Sequence, residues 1–188
     1  MRITFDRLKI ILNNQIMKKL TSVIAIFLFA ILFSNDAFAQ KFAGMDKSPA
    51  DVVLFPRRGD KVVKIVYSRP QLKGRDVASL TPKGKVWRTG ANEATQITFY
   101  KDVNFGGKDV KAGTYSLFTI PGDNEWTVII NSATNDWGAF SYSESKDVAR
   151  VKGSVSKGSK TLEAFSITMD KEKLYLGWGD TLVSVPVK

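Results

Sequence analysis

From residue 52 onward, apolar and polar residues alternate in short runs that Gly, Pro, Asn and Asp interrupt at regular intervals. This period-two alternation is typical of β-strands, because successive side chains of a strand point to opposite faces. The pattern predicts strands over residues 51–55, 61–67, 95–100, 114–120, 126–131, 165–169, 174–178 and 182–187. Many short strands, separated by turns about every 8 to 12 residues, predict a mostly β fold. We expect a single antiparallel domain, either a β-sandwich or a Greek-key barrel-like domain.

Turn residues and proline refine this fold. Residues 121–125 join two predicted strands as a hairpin, and the paired glycines within 105–108 accept the positive φ that a tight turn requires. The strand at 126–131 is apolar on both faces, so we expect it at the centre of a sheet. Pro186 cannot donate to a ladder, which predicts that the last strand lies at an edge.

One segment of the β region carries helix signals. Residues 143–151 begin with Ser143, a candidate N-cap, and Glu144 places a negative charge in the first turn. The segment is short and ends in a β-branched residue, which is unfavourable in a helix. We therefore expect at most one short helix, a turn or two, besides that of the amino-terminal leader.

The amino-terminal region has the features of a secretory signal peptide. A basic start at 17–19 precedes an apolar run over 20–33, and the small residues Ala37 and Ala39 then predict cleavage between Ala39 and Gln40. The apolar run is shorter than the ~20 residues that span a bilayer, so we expect no membrane anchor to remain after cleavage.

This interpretation divides the chain. Residues 1–39 form the signal peptide, with 1–16 upstream of a true start at Met17, and residues 40–188 form a single β domain. We expect the mature protein to be periplasmic or secreted.

Composition excludes several classes of function. The chain has no His and no Cys, so Ser-His-Asp catalysis, cysteine nucleophiles and the usual zinc or copper sites are excluded, and we expect no metal and no cofactor. The formal net charge is +10; residues 1–39 hold five basic and two acidic residues, which leaves +7 for residues 40–188. These charges are mostly interleaved with acids rather than clustered, which argues against nucleic acid and favours envelope polyanions over DNA as partners. The favoured alternative is a basic solvated surface without a partner.

The connection between the second and third predicted strands is the first candidate site. It lacks alternation over about 25 residues, and loops of this length in compact domains are often functional. Its apolar residues predict that it is ordered. Its polar side chains are the ligand-binding candidates, since arginine pairs grip a carboxylate or phosphate through parallel hydrogen bonds: Arg69, Arg75, Lys85, Arg88, Asn92 and Glu93. The alternative is structural, an Arg88–Glu93 salt bridge that pins the loop, with Gly90 at a positive φ.

The loop over residues 131–140 is the second candidate site. It contains Trp137 among amides and carboxylates, a combination that holds sugar rings by stacking below and hydrogen bonding at the rim. Core packing of Trp137 is the favoured alternative, because an indole buries a large area.

Several blocks of the sequence carry a family resemblance. Residues 67–70, 84–95, 112–122, 126–129 and 137–139 resemble, in order, the signature of the domain of unknown function 2911 (DUF2911) family. The resemblance covers residues from about 48 to the carboxyl end. It implies an exported bacterial protein and carries no catalytic residues over to this chain, although Arg88, Asn92 and Glu93 match the motif.

Three hypotheses for function follow. The first is a non-catalytic binding module for an anionic or carbohydrate-like ligand, held by arginine contacts and aromatic stacking. The second is a hydrolase or lyase with Glu93 as general base and Lys85 or Arg88 stabilising negative charge. The third is a structural envelope protein without a small-molecule site.

Overall fold

The computed structural model describes residues 5–32, 42–170 and 172–188. It divides into two units, Met1–Gly44 and Met45–Lys188. The described residues of the first unit form one helix, α1 (Phe5–Leu32). None of the helices in the described residues combines the length and the apolar character needed to cross a membrane. The expected cleavage point between Ala39 and Gln40 lies outside the described residues, so the signal peptide stays a prediction.

The second unit is mostly β, as the alternation predicts, and its strands pair antiparallel. Two short helical pieces accompany the strands: α2 (Val77–Leu80) and a 3₁₀ turn (Glu144–Lys146). The described residues form nine strands: β1 (Ala50–Phe55), β2 (Val63–Ser68), β3 (Thr95–Phe99), β4 (Val103–Phe105), β5 (Lys108–Val110), β6 (Gly113–Ile120), β7 (Glu125–Asn131), β8 (Asp147–Asp170) and β9 (Lys173–Pro186).

Seven strands form one sheet in the order β1-β2-β3-β6-β7-β8-β9, and β4 and β5 form a separate hairpin. The long ribbon of β8 and β9 contains register irregularities between Lys157 and Ser166, and such bulges bend a ribbon. The bent ribbon returns toward the start of the sheet. The Phe165 amide there donates to the Pro70 carbonyl (2.9 Å), and the phenol of Tyr67 accepts from the Ile167 amide (3.0 Å).

The curled sheet encloses the main core on its inner face. On β7, Trp126, Val128 and Ile130 belong to this core, whereas Ile129 packs with Phe118 in a smaller cluster on the outer face. The prediction of a central strand that is apolar on both faces is therefore confirmed, and β9 lies at an edge as expected. All residues of both clusters lie within Met45–Lys188, so this unit holds its own core.

The short helical pieces differ in how well the sequence predicted them. Residues 143–151 form only the 3₁₀ turn, after which β8 begins at Asp147. Ser143 occupies the N-cap position without a side-chain cap bond. The four-residue α2 was not predicted; Asp76 caps it by accepting a 2.6 Å hydrogen bond from the Ser79 amide.

Candidate functional site

The connection between β2 and β3 is anchored to the sheet through Trp87. Its amide donates to the Thr119 carbonyl (2.7 Å) and the Thr119 amide donates back (2.9 Å), which extends the ladder beside β6. The indole is 7% exposed and stacks on Trp178 with ring centroids 5.7 Å apart. Side chains alternate along an extended segment, so Val86 and Arg88 point to the outer face, where Val86 joins the small cluster.

The backbone turns sharply after Arg88. Thr89 is fully buried with a φ of 55°, a left-handed conformation that is rare for a β-branched residue. The Thr95 hydroxyl donates to the Thr89 carbonyl (2.6 Å) and holds this turn. The expectation of a positive φ at Gly90 is wrong. Glycine is favoured there because a Cβ would lie only 3.0 Å from the Ser68 carbonyl oxygen and 3.1 Å from the Thr95 hydroxyl.

Arg69 and Arg75 are each held by partners within the fold. The Arg69 guanidinium donates to the Phe165 carbonyl (3.0 Å), the Ser166 hydroxyl (2.8 Å) and the Asp51 carboxylate (3.2 Å), and so joins β1 to β8. Arg75 donates to the carbonyls three and four residues earlier (2.9 and 3.0 Å), which closes its own turn. These two candidates therefore have structural roles in this conformation.

Arg88 lies on the outer face, away from Arg69. It is half-buried, and its Nε is buried without a hydrogen-bond partner in the described residues. Burial lowers the pKa of Arg88 below its usual range, because desolvation disfavours the charged form. The proposed Arg88–Glu93 ion pair does not form within the part of the chain that the structure describes, where Glu93 is exposed. Lys85 is also exposed.

Replacing Arg88 by methionine should raise the free energy of unfolding by about 1 kcal/mol, since a desolvated charge is removed while its alkyl packing is kept. Urea denaturation measures the change. The matched control is Lys85→Met at an exposed position nearby, which should stay within about 0.5 kcal/mol of the wild type. A loss of stability in the Arg88 variant would contradict the absence of a structural partner.

The loop between β7 and β8 places Trp137 beside Glu93. Backbone hydrogen bonds of 2.9 and 3.0 Å link residues 92–94 to residues 136–138 as a short antiparallel bridge, with Glu93 directly opposite Trp137. Directly opposed residues of such a pair point to the same side. The indole is 61% exposed, so the favoured expectation of core packing is wrong. The bridge holds this segment at the surface, where the indole cannot reach the core.

A concavity of about 250 Å³ opens beside this bridge. Its polar lining includes Ser68 from β2, Glu93, Gln96 from β3 and Asn135 from the Trp137 loop. Gln96 Nε2 donates to Asn135 Oδ1 (2.7 Å), which leaves the other amide atoms of both side chains for a ligand. The concavity therefore combines a carboxylate and two oriented amides, next to an exposed indole.

A polar network fastens the far end of the Trp137 loop to the sheet. The Tyr142 hydroxyl and the Asn131 side-chain amide each donate to the Asp147 carboxylate at 2.8 Å. The Tyr142 ring packs edge-on against Phe118, with centroids 5.1 Å apart. Burial, followed by the hydrogen bond to Asp147, raises the pKa of Tyr142 above its ordinary range. The phenol therefore stays protonated and keeps donating.

Asn92 borders the site and contacts the segment that precedes β1. It adopts a left-handed backbone with a φ of 59°, which asparagine tolerates better than most residues. Hydrogen bonds from the Ser48 amide and then from the Asn92 side chain lower the pKa of Asp46. Asn92 thus has a local structural contact in addition to its place in the family motif.

Sequence analysis did not single out Gln96 or Ser68 as site residues. Gln96 alternates with Thr95 and Ile97, both buried, and so faces outward on β3. A polar residue at position 96, between two buried residues of a strand, was the sequence signal that could have identified Gln96 as a site residue. Its meaning depended on the pairing of β3 with β2, which the sequence does not specify, and on the approach of Asn135.

Comparison with curated proteins finds no significant match, and neither does comparison with solved structures. Comparison with protein families matches residues 48–187 to the family described as Protein of unknown function (DUF2911). The match includes all nine strands, the connection that carries Arg88 and Glu93, and the Trp137 loop. Since it spans more than half of the chain, the chain belongs to the DUF2911 family.

Proposed function

We propose that this protein is an exported, non-catalytic binding module for a carbohydrate-like ligand. The observation that carries the proposal is the exposed Trp137 indole, which lies opposite Glu93, one of the residues that line a concavity with two oriented amides. An indole offers a flat apolar face to the C–H face of a sugar ring, while carboxylate and amide groups bind its hydroxyls.

The geometry favours a sugar over a simple anion. Of the cationic candidates, Arg69 and Arg75 already donate to groups of the fold, and Arg88 and Lys85 are not among the residues that line the concavity. The lining instead contains the carboxylate of Glu93, which would repel an anion. Hydroxyl groups suit this lining better, because they donate to a carboxylate and accept from an amide.

Binding is also favoured over hydrolysis. A glycosidase commonly needs two carboxyl groups about 5 to 10 Å apart across the scissile bond. Glu93 is the one carboxylate among the residues that line the concavity in the described part of the chain. A general base without its acid partner would have little catalytic effect on a glycosidic bond.

Export is the second part of this proposal. It is supported by the apolar run after the basic residues at 17–19 and by the small residues at Ala37 and Ala39. Mass spectrometry of the protein from an envelope fraction should show Gln40 as the first residue. Recovery of cytoplasmic material with the leader intact would contradict export.

Tryptophan quenching provides a direct test of the binding site. Trp137 is 61% exposed, and the other three tryptophans are at most 7% exposed, so acrylamide should quench chiefly the Trp137 emission. We expect at least one member of an oligosaccharide panel to protect residues 40–188 from quenching. Trp137→Ala should weaken the affinity for that sugar by about fivefold or more, measured by calorimetry, since aromatic contacts contribute about 1 kcal/mol or more.

The matched control is Tyr100→Ala, which removes another half-exposed aromatic side chain, one that, unlike Trp137, is not paired with a residue of the concavity. It should leave sugar affinity unchanged. Glu93→Gln removes the charge and keeps a hydrogen-bonding side chain at the same site. It should lower the affinity for the same sugar, because the carboxylate is the stronger acceptor. A folded protein that binds no sugar in the panel, or binds one equally well without Trp137, would contradict the proposal.

A further inference from the structure

A second outward-facing surface lies at the other end of strands β1 and β2. We define it as the basic edge patch, formed by Val52, Leu54, Arg57, Arg58, Lys64 and Tyr100. The register pairs Leu54 with Lys64 across β1 and β2, and the Tyr100 amide donates to the Val62 carbonyl (2.9 Å) at the same end. These residues are therefore neighbours on one corner of the sheet.

The apolar part of the basic edge patch is unusually exposed for a sheet face. Val52 is 50%, Leu54 41% and Tyr100 51% exposed. Val52 and Leu54 alternate with Val53 and Phe55, which pack against the core, so their outward direction follows from the strand period. β1 is also the edge strand of the sheet, and it contains neither Lys nor Pro to discourage contacts.

The three cations of the basic edge patch outnumber the acid beside them, Asp60. Within the described residues, Arg57, Arg58 and Lys64 form no ion pair with a carboxylate, in contrast to the paired Arg150 and Lys152 elsewhere. The acid nearest to the two arginines along the chain is Asp60, which is exposed in the same turn and forms no ion pair in the described residues. Asp51 pairs with Arg69, and Asp102 pairs with Lys111 at 2.8 Å. The corner therefore presents concentrated positive charge around exposed apolar side chains.

We propose that the basic edge patch docks on a lipid surface rich in anionic phosphate headgroups. Arginine and lysine bind headgroup phosphates, while valine, leucine and a tyrosine ring enter the boundary between headgroups and acyl chains. The positive charge of the patch alone would bind a soluble polyanion equally well. The three exposed apolar side chains among the cations favour the lipid surface, because a hydrated polyanion offers them no apolar contact.

This surface adjoins the sugar site, because Val52 pairs with Val66, which lines the concavity. The inference does not rest on the proposed function. The concavity lies at the Ala50 and Ser68 end of the β1–β2 pair, and the basic edge patch lies at the Phe55 and Val63 end. Both face outward on the same side of the sheet.

Vesicle sedimentation tests the docking. Residues 40–188 contain the whole core and lack the apolar leader, which would itself bind lipid. We expect this domain to sediment with vesicles of equimolar phosphatidylglycerol and phosphatidylcholine and to stay in solution with phosphatidylcholine alone. Raising the salt from about 0.1 M to about 1 M shortens the Debye length from ~10 to ~3 Å and should release the bound domain.

Charge variants locate the contact. Arg57→Ala combined with Arg58→Ala should lower the partition coefficient by about 30-fold, since each cation near an anionic surface contributes about a factor of five. The matched control, Lys108→Ala with Lys160→Ala, removes two exposed charges that form no ion pair in the described residues, and it should leave partitioning within about twofold of the wild type. Equal losses in the two pairs would indicate attraction by net charge and would overturn the assignment to this corner.

Apolar variants separate a lipid surface from a soluble polyanion. Val52→Ser combined with Leu54→Ser should lower vesicle partitioning by about tenfold while leaving binding to dextran sulfate unchanged. Circular dichroism confirms that each variant is folded. The proposal is overturned if the serine variant partitions like the wild type, or if the domain binds dextran sulfate and ignores anionic vesicles.

Discussion

Replacing Trp87 by alanine should lower the free energy of unfolding by about 3 to 5 kcal/mol. The indole is buried where the β2–β3 connection meets the inner core, stacked on Trp178 and edge-on to Phe165 at 5.1 Å and to Trp126 at 6.2 Å. Alanine would leave a cavity between rigid aromatic rings, which cannot close it easily. Equilibrium denaturation in urea, followed by far-UV circular dichroism, measures the loss.

Trp137→Ala is the matched control for this prediction, since it removes the same side chain from an exposed position. It should change stability by no more than about 0.5 kcal/mol. Similar effects of the two variants would mean that Trp137 is packed as Trp87 is, which would also remove the basis for the sugar site.

Replacing Arg69 by alanine should lower the free energy of unfolding by about 2 to 3 kcal/mol, the range for hydrogen bonds to charged groups. The guanidinium joins β1 to β8, which are far apart in the order of the sheet, through Asp51, Phe165 and Ser166. Its loss would leave the Phe165 carbonyl and the Asp51 carboxylate without this donor. Urea denaturation again provides the measurement, and Arg69→Lys should recover only part of the loss because lysine lacks the planar fork.

The comparison for Arg69 is Arg75→Ala. Arg75 donates only to carbonyls within its own turn, so its removal should cost no more than about 1 kcal/mol. A neutral effect at Arg69, together with loss of binding to an anionic ligand such as inorganic phosphate, would restore the hypothesis that this arginine serves a ligand.

The two halves of the candidate site differ in how far the sequence could predict them. The residue types that bind sugars, an indole with amides and a carboxylate, were visible in the 131–140 loop and at Glu93. The cationic cluster was also visible, but a charge in a sequence carries no information about its partner. Arg69 finds its partners almost a hundred residues away, at Phe165 and Ser166, through the bend of the β8–β9 ribbon.

The exposure of Trp137 is a second case in which the local sequence does not predict the outcome of a tertiary contact. Local pattern favours burial of an indole, because most of its area is apolar. Its exposure is decided by the bridge to Glu93, a contact between two loops that are more than forty residues apart. Both loops can be recognised in the sequence, but no local pattern predicts that they contact each other.

What the sequence determined by itself is the set of elements that depend on neighbouring residues. The strand period, the hairpin turn at 121–125 and the two apolar faces of β7 are local properties of the backbone, and each is present in the structure. The tertiary structure decided which polar side chains meet. In it, Arg69 and Arg75 donate hydrogen bonds to groups of the fold. Arg88 has no partner in the described residues. Glu93 lies opposite Trp137. These outcomes depend on the order and curl of the strands, which bring distant segments together by contacts that no local pattern encodes.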